Sequence, residues 1–176
     1  MGAATIVRPQ ADEHSEYYSR YIQRVPDGDL LTLLRTQIVD TAALVRGASA
    51  RADYAYAPGK WTIKQTVLHL SDVERVMSYR ALRFARNDVT PVPGFDENAW
   101  ADSARVSNRT LDDLVDELEV VRAATVQLAS HLDPDELARR GTASNHGISV
   151  RALFYIIAGH ERHHVALLKE RYLNDV

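Results

Sequence analysis

Apolar side chains recur at three- and four-residue intervals along four stretches of the chain, and no convincing two-residue alternation marks a strand. The first stretch follows Pro26-Asp27-Gly28 and runs from about Leu30 to Val45, with Leu30, Leu34, Ile38, Ala42 and Val45 on one face. A second begins after Pro58-Gly59, where Thr62 and Gln65 have the spacing of a capping box, and continues to about Arg86. The third starts near Thr110 and carries Leu111, Leu114, Val115, Leu118, Val121, Thr125, Leu128 and Leu132 before Asp133-Pro134 stops it; its inner stripe reads as free of ionisable groups. The fourth extends from about Ser149 to Tyr172, and two histidines, His160 and His164, interrupt its apolar stripe. A shorter helix over Glu13 to Arg24 would let Tyr17, Tyr18 and Tyr21 cover one end of the core. The connection from Asn87 to Arg109, with Pro91, Pro93 and Gly94, is too long for a tight turn and predicts one crossover along the length of a bundle. The pattern predicts an all-α fold in which four helices bury one another, as one domain over 1–176 with residues 1–28 forming an N-terminal arm or short helix.

Composition narrows the function. A chain of 176 residues, 45% hydrophobic, suffices for one core. Its 21 Lys+Arg against 24 Asp+Glu give a net charge of −3 without a dense basic run, so no nucleic-acid partner is expected. The absence of cysteine excludes disulfides, thiolate metal sites and Cys nucleophiles, and any thiol used must arrive on a small molecule. The longest apolar run, Ala152 to Ala158, falls far short of the ~20 residues that span a bilayer. No membrane association and a cytoplasmic location are therefore expected.

The chemistry concentrates in Gly159-His160-Glu161-Arg162-His163-His164. This satisfies the His-Glu-x-x-His pattern of zinc proteases, but the extended pattern would want Gly and His where Leu167 and Glu170 stand, and no sheet is predicted beside the helix. A di-iron carboxylate site would need a second inward Glu-x-x-His pair besides Glu161 and His164, and none occurs. At 100° per residue His160 and His164 fall mid-stripe with Leu153, Ile157 and Leu167, whereas His163 falls toward the edge. Two imidazoles one turn apart can converge on one ion, and His69, on the inner face of the second helix, is the best third donor. His14, His131 and His146 read more simply as surface or capping residues. On the residues alone, these three histidines are as readily hydrogen-bonded core groups as ligands.

The segment Ala57-Pro58-Gly59-Lys60-Trp61-Thr62-Ile63-Lys64 through His69-Leu70-Ser71-Asp72-Val73-Glu74, then Tyr79 to Arg86, resembles the DinB/YfiT-like family. Pro93-Gly94-Phe95-Asp96, Gly141-Thr142-Ala143, Ser149 to Leu153 and Gly159-His160 followed by His163-His164 extend the resemblance over most of the chain. It implies a four-helix bundle of up-down-down-up connectivity and a metal bound by one histidine of the second helix and two of the last, here His69, His160 and His164. The wider superfamily includes metal-dependent hydrolases and enzymes that transfer a low-molecular-weight thiol. The resemblance also implies that Glu161 is an exposed helix residue.

Three neutral imidazoles would leave a divalent ion, zinc or nickel before iron or copper, with at least one open position. Two reactions fit: attack of a small-molecule thiolate on an electrophile, which the resemblance favours slightly, and hydrolysis of an ester or amide. A small-molecule substrate is expected, and a metal-carrying protein without turnover is the competing class. Asp72, three residues after His69, could orient a ligand or handle a proton, or simply pair with an arginine. Arg80 and Arg83 read as surface residues more readily than as anion binders, and Trp61 and Trp100 as packing residues. The absence of a Gly-x-Ser-x-Gly elbow argues against serine hydrolase chemistry, and a homodimer is expected by analogy with similar bundles.

Overall fold

A computed structural model of the chain describes residues 5–174; residues 1–4 and 175–176, the ends of the expected domain, lie outside it. Four long helices dominate: α2 (Leu30–Gly47), α3 (Ile63–Ala85), α5 (Leu111–Ser130) and α7 (Val150–Leu167), with Leu168–Tyr172 adding a widened π turn to the last. Of three short ones, α1 (Glu16–Ile22) precedes α2, α4 (Glu97–Ser103) lies between α3 and α5, and α6 (Pro134–Ala138) lies between α5 and α7 together with strands β1 (Arg140–Ala143) and β2 (His146–Ser149). The helix starts fall where side chains can satisfy the orphan N–H groups. Thr62 and Gln65 form the expected capping box, Thr110 forms another with Asp113, and the Asp29 and Ser149 side chains accept from the backbone N–H of Thr32 and Ala152.

The long helices form a four-helix bundle. In it α3 packs against α5 and α7, and α2 against the same two helices. The expected stripe of α2, Leu30, Leu34, Ile38, Ala42 and Val45, is buried in full. The connection from α3 to α5 is long, as expected, and α4 forms within it. Helix α1 lies so close to α7 that a Cβ at Gly159 would fall 2.0 Å from the carbonyl oxygen of Tyr21, so this contact requires glycine.

The two strands depart from the all-helical expectation. They pair antiparallel from Arg140↔Ser149 to Ala143↔His146, around a turn in which Ser144 and Asn145 take φ of 51° and 65°. Strands of four residues are too short to register as an alternation, and the left-handed pair is what a tight hairpin turn demands. The crossover joins this hairpin: Val92 N–H donates to Thr142 O at 2.9 Å, and Ser144 N–H donates to Val92 O at 3.0 Å.

Charge inside the bundle is a second departure. Arg122, on the inner stripe of α5, is 2% exposed, and Glu161 of α7, expected on the surface, is also 2% exposed. The Arg122 guanidinium donates to both carboxylate oxygens of Glu74 at 2.8 Å, pairs with Glu161 at 2.7 Å and donates to Leu34 O at 3.0 Å. Gln37 and Thr41 of α2 in turn donate to Glu161. Burial alone would pull the Arg122 pKa down, but the carboxylates of Glu161 and Glu74 outweigh it and hold the group charged. Removing one member of such a cluster strands the others. Arg122→Met is expected to lower unfolding free energy in urea by about 3–5 kcal/mol, more than exposed Arg35→Met does.

Candidate metal centre

Helix α3 contributes His69 from its second turn, and α7 contributes His160 and His164 one turn apart. The Nε2 atoms of His69 and His164 each stand 3.1 Å from Nε2 of His160, and one nitrogen from each of the three rings lies within 4.8 Å of the others. Nitrogens bound tetrahedrally to one zinc ion at the usual bond lengths stand roughly 3.3 Å apart. The spacing is thus close to that of a ligand set.

All three rings are buried, and burial is the leading cause of their lowered basicity. His69 is brought down to about 4 and His164 to about 3, while His160 lies well below its ordinary value, pressed further by its two neighbours. Near neutral pH these imidazoles carry no charge. An N–H hydrogen bond from one neutral ring to the next can satisfy only some of the contacts, and lone pairs left facing one another repel unless a cation lies between them. Nε2 of His164 contacts only Nε2 of His160, while its Nδ1, on the other edge of the ring, has no hydrogen-bond partner among the described residues. The donor set therefore fits a divalent ion.

Aromatic rings hold the imidazoles in place. Trp61 packs on His69 with ring centroids 4.6 Å apart and lies nearly parallel to His164 at 6.5 Å; Tyr21 meets His160 edge-on at 5.2 Å. A cavity of about 350 Å³, bordered by Tyr18, Tyr21, Met77 and Phe95, reaches His160, and another of about 240 Å³, bordered by Tyr56, Trp61 and Tyr172, reaches His69 and His164. The site is thus enclosed by packing yet approachable from two sides.

The sequence matches the DinB superfamily over residues 33–168. This chain belongs to that superfamily. Two Oceanobacillus iheyensis relatives of this DinB-superfamily protein each bear the name "Putative metal-dependent hydrolase". One is 33% identical over 65% of this chain and 66% of its own length, the other 27% identical over 78% and 77%. The fold is similar to that of YfiT from Bacillus subtilis, described as "a probable metal-dependent hydrolase with an unusual four-helix bundle topology". That match has a TM-score of 0.70 at 19% identity and covers 96% of this chain and 93% of YfiT.

Within this DinB-superfamily site the histidines separate as the helical wheel suggests. His163 packs on Tyr21 and on the His164 ring from outside the convergent trio. Asp72 is half-buried, approaches Arg75 at 3.6 Å, and shares with His69 the wall of a cavity of about 10 Å³. Burial pushes its carboxyl up. Arg83 pairs with Asp88 at 2.6 Å, as a surface arginine would, but Arg80 is 1% exposed and corrects the surface reading. Trp61 packs as expected, yet against the imidazoles themselves. Only its position directly before the Thr62 cap could have hinted at this, since that places it about two turns ahead of His69 at the start of the same helix.

Two outcomes follow. Elemental analysis of protein purified without a His tag is expected to find about one metal per chain, lost in His69→Ala, His160→Ala and His164→Ala and largely kept in His163→Ala. Unfolding exposes histidines that take up protons near pH 6.5, whereas the folded rings stay neutral down to about 4 at His69. Their contribution to stability is thus full above about pH 6.5 and lost as the pH falls toward 4. The thermal midpoint of metal-stripped protein should decline across that window, and less steeply in His164→Leu.

Proposed function

We propose that this protein is a metal-dependent hydrolase acting on a small-molecule substrate, with one divalent ion, zinc or nickel first, held by His69, His160 and His164. The observation that carries the reading is the convergence of three buried, neutral imidazole nitrogens at one point beside two cavities. The names of the relatives supply the reaction class. An ion so held supplies Lewis acidity and makes a bound water, or a bound thiol, easier to deprotonate.

The chain's own groups would do the rest. Trp61 and Tyr21 fix the rings and restrict water. Tyr21 borders both cavities, and burial keeps its phenol protonated, so an O–H donor remains available to a substrate oxygen. Asp72 is proposed as a positioning residue, reaching His69 through a water in the small cavity between them, which has room for about one. Transfer of a small-molecule thiol would use the same three imidazoles. With no cysteine in the chain, that thiol would have to be a co-substrate.

The test is turnover of a panel of activated esters and amides, and of an electrophilic chloroarene with added thiols, by zinc- and nickel-loaded protein. Ester or amide cleavage is expected to fall by at least about a hundredfold on chelation, to return on reloading, and to be absent in His160→Ala. Cleavage indifferent to chelation would overturn the reading. Thiol-dependent turnover without hydrolysis would replace it with transfer.

A further inference from the structure

The larger cavity runs away from the histidines along one face of α3. His69, Val73, Met77 and Arg80 follow one another at intervals of four, four and three residues, which places them on a single stripe of that helix. Val73 and Met77 border the cavity, and His160 closes its metal-side end. Beyond Met77 lies Arg80.

Arg80 is a buried cation without a counter-charge. It is 1% exposed and has no carboxylate within ion-pairing distance among the described residues, unlike Arg122, which has two. Its guanidinium donates to Pro93 O at 2.9 Å and to Ser144 Oγ at 3.1 Å, meets Met77 Sδ at 3.8 Å, and lies 6.0 Å from the centre of the Phe95 ring. Nε has no hydrogen-bond partner among the described residues. Ser144, Met77 and Phe95 all border the cavity, so the group sits directly behind its far wall. The cavity's own carboxylate, Glu97, is exposed at the rim and is not among the groups bonded to Arg80. Two neutral oxygens, a thioether, an aromatic ring beneath the guanidinium and the neighbouring Tyr18 hydroxyl, all uncharged, are poor compensation for a desolvated guanidinium, whose planar fork matches a carboxylate.

We infer that Arg80 is the specificity-determining residue of this cavity, and that the substrate is an organic acid whose carboxylate meets Arg80 while its apolar body lies along Val73 and Met77 toward the histidines. This rests on the proposed hydrolase only for what happens at the far end. About three turns of α3 separate His69 from Arg80, roughly 16 Å of axial rise. The acid group and the bond to be cleaved would therefore lie at opposite ends of an elongated molecule.

The test compares 5-phenylpentanoate with 5-phenylpentanamide, binding each to the metal-loaded protein and again after chelation, by calorimetry and by following the Arg80 Nε–H resonance. The acid is expected to bind about tenfold or more tightly than the amide. That preference should survive chelation, the Nε–H signal should shift with the acid and not with the amide, and Arg80→Met should bind the two alike. Equal binding of acid and amide by the wild type would overturn the inference. So would a preference that vanishes on chelation, which would place the carboxylate on the metal. The wild-type comparison decides even if Arg80→Met fails to fold. Because the preference is read on metal-free protein, failure of the hydrolase assay would leave it intact, and the reverse also holds.

Discussion

One arginine makes the bundle a single electrostatic object. Arg122 of α5 bonds Glu74 of α3, Glu161 of α7 and the backbone of α2 at Leu34, so all four long helices meet at one guanidinium. Such a cluster contributes less to stability than its Coulomb attraction suggests, because each group first loses its water. Its effect is on geometry, since a helix that slid or turned by one residue would leave a charge unpaired in the core. Glu161 directly follows His160, and Glu74 lies little more than one turn beyond His69. The contact that fixes α3 against α7 therefore also fixes the separation of the histidines those helices carry.

That rigidity matters because three imidazoles must meet within a few tenths of an ångström to share an ion, and only two of them belong to the same helix. The pair in α7 is set by helical repeat, whereas the third depends on how α3 crosses it. Trp61, Tyr21 and the close approach of α1 at Gly159 fill the space around the rings. The neutrality that makes these imidazoles good donors follows from the same burial.

The two buried arginines show how context assigns a role. Both lie on inward faces of long helices, and both would be costly to bury alone. Arg122 is neutralised by carboxylates from neighbouring helices and serves the packing. Arg80 is met by a carbonyl, a hydroxyl, a thioether and an aromatic ring, and it lies behind the wall that Ser144, Met77 and Phe95 give to a cavity bordered elsewhere by His160.

The four long helices were legible because each buries one stripe with a 3.6-residue period and begins at a side-chain cap, signals that sit within a few turns of chain. The histidine trio was half legible: His160 and His164 declared themselves by spacing, and His69 by lying inward on another helix, but the residues alone could not separate a ligand from a core histidine. What the chain hid was the fate of isolated charged residues. In sequence Glu161 looks like an exposed neighbour of His160, Arg122 sits in an apolar stripe with nothing to mark it as buried, and Arg80 reads as surface, because the sequence around a charge does not say whether a partner waits on the opposite helix. The hairpin is hidden from the sequence for a related reason, since its four-residue strands owe their form to a left-handed turn and to the crossover beside them. Sequence determined the elements, whose periodicity is local. Tertiary structure decided the pairings, because whether a buried charge or an imidazole has a partner depends on residues dozens of positions away.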